Sequence, residues 1–240
     1  MSNSRRFPWR AAPVFVALLW VAACTENASM PTPDPQTTQL IRALSERVQK
    51  LEDTAEIHKV QSKYAHYLFT QDFDKVVEEC MARNSPDVSV EFSDSGVYRG
   101  LESVKALYKA FEEAKKIPGF FILHMTVNPY IEIAADGKSA RSHWLSPGAS
   151  GSNRSASWVW GPYYVDYVKE GDQWRILHSN LAPLFRNPYE DSWAKATNHG
   201  TVKGILSAVA DEPSTQYRPY NEVKTETDIF RDYPDLPQPY

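Results

Sequence analysis

Between Phe120 and Leu184 the chain falls into four long runs of strand-forming residues, and no other stretch restricts the fold so tightly. The runs are Phe120 to Ile133, Ser139 to Leu145, Ser155 to Val168 and Gln173 to Leu184. Asp136-Gly137 and Glu170-Gly171-Asp172 have the composition of hairpin turns, so adjacent runs are expected to pair antiparallel. A shorter pair precedes them: Val88 to Phe92 alternates with period two, and Gly96 to Gly100 makes a brief strand between glycines. Upstream the period is that of a helix. Leu40, Leu44, Val48 and Leu51 mark an amphipathic first helix that can pack on its own domain or on a partner chain. A second helix runs from about Ala55 to Phe69, and Asp72 is placed to N-cap a third, Phe73 to Met81. Val104, Leu107, Tyr108 and Phe111 mark a helix inside the strand region, Ser103 to Ala114. Helices first, then a helix among strands, then a meander, define an α+β fold: a curved antiparallel sheet closed on one face by N-terminal helices.

Composition narrows the function. With 240 residues, 42% of them hydrophobic, the chain can bury one sizeable core. A net charge of -4 and no block of Lys or Arg after residue 10 exclude the basic stripe that nucleic acid requires. A neutral or anionic small ligand fits better. Seven Trp and thirteen Tyr suit the walls of an aromatic-binding pocket as well as an ordinary core.

The first 24 residues read as a targeting segment. Arg5, Arg6 and Arg10 form a basic start, Ala11 to Trp20 is an apolar run too short for a comfortable membrane span, and small residues close it. Val21-Ala22-Ala23-Cys24 resembles the lipobox of bacterial lipoproteins, which implies export, lipidation of Cys24 and residence in the cell envelope, periplasmic or anchored to the outer membrane. A plain cleaved signal peptide is the alternative. Residues 25–37 carry three prolines and read as a linker. The folded domain is expected over residues 38–193, followed by a C-terminal helix and an extended, proline-rich tail over 194–240. Cys80, inside an apolar-periodic run, has no Cys or His neighbour at zinc spacing and reads as a buried small hydrophobe; no metal site is expected.

Three segments converge on a family. The helix Glu56-Ile57-His58-Lys59-Val60 through Asp74, the segment Val97-Tyr98-Arg99-Gly100 leading into a helix, and the ending Gln173-Trp174-Arg175-Ile176-Leu177-His178 resemble, in order and spacing, the SnoaL-like branch of the nuclear-transport-factor-2-like superfamily. The resemblance covers about Asp53 to Trp193 and implies a cone of curved sheet closed by three helices. By pattern the chain is similar to the lyases of the branch: scytalone dehydratase, lindane dehydrochlorinase and bile-acid 7α-dehydratase. These use a strand His as base, oriented by an Asp near the end of the first long helix, and need no cofactor. His124 falls where their His does, and Tyr64 where the bile-acid enzyme has a Tyr. Phe69 stands at the Asp position. Arg186, just past the last strand, resembles an arginine that the bile-acid enzymes place at the pocket, where a guanidinium would stabilise a phenolate, enolate or carboxylate. Its alternative is a surface pair with Glu190 or Asp191.

The expected site therefore has His124, Tyr64 and Arg186 as catalytic groups, with Phe69, Tyr67, Trp160, Tyr163, His143 and His178 lining it. Trp160 and Tyr163 are the inward candidates of a strand in which Gly161-Pro162 suggests a bulge. The resemblance implies a cofactor-independent lyase acting on a hydrophobic, aromatic or polycyclic hydroxylated molecule by dehydration or, as in the diarylpropane lyases of lignin degradation, by loss of formaldehyde. It also implies a dimer or trimer. The missing Asp leaves a second reading open, a non-catalytic lipid-anchored binding module. A ketosteroid-type isomerase would need a carboxylate base that the sequence does not identify.

Overall fold

The computed structural model describes residues 34–194, 201–214 and 235–238; side chains are described from Gly204 onward in the second stretch. Contacts divide the chain into two units, one through Ile41 and one from Arg42 to Tyr240. In the first, Asp34 caps the start of α1 (Pro35–Thr70): its Oδ1 accepts from Gln36 N at 2.8 Å and Thr37 N at 3.0 Å. The two expected helices are one, because no Gly or Pro interrupts residues 36–70 and Glu52 to Ala55 are compatible with helix. The expected linker thus ends in the first turn of α1.

The second unit buries the face of α1 formed by Asp53, Ile57, Val60, Gln61, Tyr64 and Leu68. A short helix α2 (Phe73–Lys75) runs into a π-helical turn at Val76–Cys80. Asp72 makes no capping bond there; its Oδ2 instead accepts from Thr70 Oγ1 at 3.2 Å and Lys75 Nζ at 3.4 Å. Then come β1 (Ser89–Phe92), β2 (Gly96–Arg99), α3 (Gly100–Ala114), β3 (Phe121–His124), β4 (Val127–Ile133), β5 (Ser139–Ser152), β6 (Ser155–Glu170), β7 (Gln173–Leu181), β8 (Phe185–Pro188) and α4 (Thr201–Ala208).

The strands form one open curved sheet in the order β2-β1-β7-β6-β5-β3, antiparallel except for the parallel pair β1–β7. Two long strands organise it. The first half of β5 pairs with β4 and the second half with β3, so the run expected from Phe120 to Ile133 breaks after His124 and resumes at Val127. Likewise β6 pairs with β8 over Ser157–Trp160 and with β7 from Tyr163 onward. Gly161-Pro162 lies at this change of partner, and its register with β5 is unbroken, so the bulge expected there is absent. Glycine is required because a Cβ on Gly161 would sit 2.2 Å from Ala182 O, where the chain crosses over. The register shift occurs instead between Asp166 and Tyr167, opposite β7.

One face of this sheet packs against α1, α2 and α3. Alternation assigns Ala140, Ser142, Trp144, Ser146 and Gly148 of β5, with Val159, Tyr163, Val165 and Tyr167 of β6, to that interior. The described part of the C-terminal region also joins the fold. Leu206 is buried, and Asp211 and Glu212 bond the backbone of Val97 on β2.

Candidate active site

Register alone places four residues in one row across the interior face. His124 on β3 lies beside Gly148 on β5, which pairs with Val159 on β6, which pairs with Arg186 on β8. At strand spacing the row spans about 14 Å between its outer Cα atoms. Gly148 leaves room for β3 and its imidazole beside β5: a Cβ there would meet Leu123 O at 2.7 Å and His124 Nδ1 at 3.1 Å. Toward α1 the rings continue. Tyr163 packs edge-on to His124 with centroids 6.3 Å apart, and edge-on to Tyr64 at 6.0 Å. Tyr108 of α3 donates its hydroxyl hydrogen to Tyr64 Oη at 3.3 Å.

At the other end of the row Arg186 meets a carboxylate. Its Nε donates to Asp94 Oδ2 at 2.5 Å and Nη2 to Oδ1 at 3.3 Å, with both side chains almost wholly buried. Asp94 comes from the turn between β1 and β2. The pair uses two of the five guanidinium donors and forms a bidentate contact. Thus the surface pair with Glu190 or Asp191 does not form.

Burial sets the protonation of the site. His124 is pulled down to about 3, first by loss of solvent and then by the nearby Arg186 guanidinium, with Asp94 pulling weakly the other way. It is a neutral imidazole at any physiological pH. Burial pushes Tyr64, Tyr108 and Tyr163 upward, so all three remain phenols and can donate hydrogen bonds. Among the described residues, three buried polar atoms on this face have no hydrogen-bond partner: His124 Nδ1, Ser146 Oγ and Tyr163 Oη. The Tyr163 hydroxyl is close enough to Tyr64 to perturb its ionisation but makes no hydrogen bond of acceptable geometry.

The remaining expected residues lie elsewhere. Phe69 is 57% exposed, because the position one turn after Tyr64 that faces inward is Leu68 and the next residue is rotated about 100° away. Trp160, expected to face inward, is 47% exposed on the opposite face of the sheet and stacks on Phe185, since strand alternation puts Val159 inside. His143 shares that outer face, where an apolar groove of about 540 Å³ lies between Val127, Leu145, Pro147, Trp160 and Leu184. Tyr67 is half-buried against the π-helical turn, its hydroxyl donating to Glu79 at 2.8 Å. His178 faces Asp166 at 3.1 Å and the carbonyl of Asp87 at 2.9 Å. None of these five lies in the interior row. Asp94, Tyr108 and Ser146 do lie in the interior cluster and were not singled out from sequence. Ser146 was recoverable from the alternation with Trp144, whereas Asp94 in Ser93-Asp94-Ser95-Gly96 reads as an ordinary turn residue.

Among the described residues no group of three or more His, Cys, Asp or Glu is placed to hold a metal ion, and no helix is long and apolar enough to cross a membrane. Cys80 is buried, and its thiol is pushed up to about 12 by that burial. Cys24 lies outside the described residues.

A family model described as the SnoaL-like domain matches residues 49–180, the span that contains α1 after its first turns, β1 to β6, all but the last residue of β7, and the site apart from Arg186 on β8. The chain belongs to the SnoaL-like family. Among curated protein sequences none matches it. Solved structures do. A protein of Novosphingobium aromaticivorans named for scytalone dehydratase superposes with a TM-score of 0.52 at 16% identity, covering 63% of this chain and 95% of that one. A Mycobacterium tuberculosis protein of unknown function gives 0.52 at 21% identity over 68% of this chain and 99% of that one. A hexachlorocyclohexane dehydrochlorinase of Novosphingobium barchaimii gives 0.51 at 12% identity, covering 61% and 96%. At these identities the likeness is one of fold.

Proposed function

We propose that this SnoaL-like protein is a cofactor-independent lyase that eliminates water or formaldehyde from a hydrophobic aromatic or polycyclic hydroxylated molecule. One observation carries the reading: among the described residues, His124 Nδ1, Ser146 Oγ and Tyr163 Oη are buried without a hydrogen-bond partner on the interior face that also carries the buried Arg186–Asp94 pair. Each unpaired buried atom costs roughly 1–3 kcal/mol. A hydroxylated ligand that pairs them recovers that cost.

The chemistry follows from the protonation states. A phenol para to a carbinol carbon, once ionised, expels hydroxide to form a quinone methide. The expelled hydroxide then takes up a proton and leaves as water: either the proton of the adjacent carbon, or the hydroxyl proton of an adjacent hydroxymethyl group as the C–C bond breaks and formaldehyde departs. Either loss returns the electron pair to the ring as a phenolate. As the phenolic proton moves to neutral His124, the phenolate left behind supplies the counter-charge that the buried imidazolium otherwise lacks, and the anionic end is drawn toward the remaining guanidinium donors of Arg186. Tyr64, held as a phenol, donates to the departing hydroxyl. The relatives support this assignment by fold and by the dehydratase and dehydrochlorinase names they carry. Export and lipid anchoring through Cys24 are part of the same proposal, on the strength of Val21-Ala22-Ala23-Cys24.

The test is a panel of phenolic diols and hydroxysteroids incubated with purified protein, with products read by mass spectrometry. Unsaturated product or formaldehyde above the level of His124→Ala is expected; neither appearing with any compound overturns the lyase. A second reading has its own observation: among the described residues no carboxylate bonds His124 Nδ1, so the imidazole lacks the orienting partner of a His–Asp dyad. A protein that binds the same compounds, seen as tryptophan quenching, without turning any over would be the binding module.

A further inference from the structure

Along the first part of α1 a row of large apolar side chains faces solvent. Ile41, Leu44, Val48 and Leu51 are 54%, 47%, 51% and 71% exposed. Their spacing of three, four and three residues is the seam of a heptad repeat, with Ile41 and Val48 at a and Leu44 and Leu51 at d. The buried face of the helix begins only at Asp53 and Ile57, about 200° around from Leu51, so the helix does not turn this row toward its own sheet.

We propose that the segment Ile41 to Leu51 forms a parallel two-stranded coiled coil with the same segment of a second copy of this chain. β-Branched residues at a and leucine at d favour two strands over three or four. Charge selects the same occupant. Arg47 occupies g and Glu52 the following e position, and both are exposed with no ion pair among the described residues. In a parallel dimer Arg47 of each helix faces Glu52 of the other, twice by symmetry. An antiparallel dimer centred on this segment would bring the two Arg47 side chains together, which disfavours it. Arg42 and Glu46, at the outer b and f positions, already pair within their own helix at 2.9 Å. Two heptads are too short to form a stable helix from coil, but here the helix is continuous with the buried part of α1, so nucleation is already paid for.

The full chain in a mild detergent tests this with a short bismaleimide cross-linker. In a Cys24→Ser background, Leu44→Cys is expected to yield a covalent dimer, while Glu46→Cys on the outer side yields none; Cys80 is buried and stays silent in both. In light scattering, wild type has twice the mass of a Leu44→Glu/Val48→Glu variant, whose unchanged circular dichroism shows that the fold persists. Arg47→Glu and Glu52→Arg each weaken association roughly fivefold, and together they restore it. Equal cross-linking of Leu44→Cys and Glu46→Cys, an unchanged mass for the Leu44→Glu/Val48→Glu variant, or no recovery in the charge-reversed pair overturns the proposal.

Discussion

His124 and His178 respond to acid in opposite senses because one is buried against a cation and the other faces a carboxylate. For His124 the folded value, about 3, lies below the unfolded value near 6.5, so between the two the unfolded chain binds the extra proton. Its contribution to stability is present above about pH 6.5 and is lost as pH falls, at up to about 1.4 kcal/mol per unit. His178 is raised by its bond to Asp166, so its contribution is full below the unfolded value and disappears as pH rises through the folded one. Urea midpoints measured from pH 7 to 5 should therefore fall less steeply in His124→Gln than in wild type, and more steeply in His178→Gln; parallel slopes in all three would refute the assignment. Arg186 and Asp94 give a second residue-scale prediction. Removing either partner, in Arg186→Met or Asp94→Leu, leaves a buried charge and costs about 3–5 kcal/mol. The double variant should cost far less than the sum, and additive losses in urea denaturation would show that the pair is not coupled. Asp94 also marks the limit of sequence reading at this scale. Tyr64, His124, Tyr163 and Arg186 lie at positions that periodicity and family pattern single out, whereas the burial of a turn aspartate depends on which distant strand supplies the guanidinium.

Local pattern located most elements, and the differences arise where tertiary contacts override it. Strand alternation from Ser139 to Val168 fixes which residues face inward, so Trp144, Tyr163 and Val165 were assignable in principle. What alternation does not reveal is partner exchange: Gly161-Pro162 has the composition of a bulge but marks the change from β8 to β7. The start of α3 is a similar case. The residue before it, Arg99, offers no side-chain cap, and the carboxylate comes from far along the chain: Asp211 Oδ2 accepts from Arg99 N and from Ser103 Oγ, both at 2.6 Å. A negative charge at the first turn also complements the helix dipole. Because Asp211 is exposed, Asp211→Ala should destabilise the fold by only about 1 kcal/mol. Its sharper signature is local. Val97 N donates to Glu212 O, and Asp211 N to Val97 O, so amide exchange at Val97 should accelerate in the variant while that at Val165 in the sheet centre is unchanged. Equal acceleration at both sites would mean that the C-terminal segment is not held by this contact.

For the whole molecule, the question is where an interior site and an exposed helical seam operate. Residues 25–34 lie between Cys24 and α1. At full extension ten residues reach about 35 Å, so a lipid on Cys24 would hold the start of α1 within that distance of a bilayer. Confinement to a surface also raises the effective concentration of one copy for another, which favours a short coiled coil over the same segment free in solution. Two acyl chains and a third on the amino group would anchor the protein firmly, since each buried methylene contributes about 0.8 kcal/mol. Cys24→Ser removes the sulfur on which such an anchor is built. In a bacterial host that processes lipoproteins, wild type should take up a labelled fatty acid and sediment with membranes, and Cys24→Ser should do neither while retaining the near-ultraviolet circular dichroism of its aromatic interior. A Cys24→Ser protein that still fractionates with membranes, or a wild type that takes up no label, would assign residues 1–24 to a plain cleaved signal and leave dimerisation to depend on solution concentration alone.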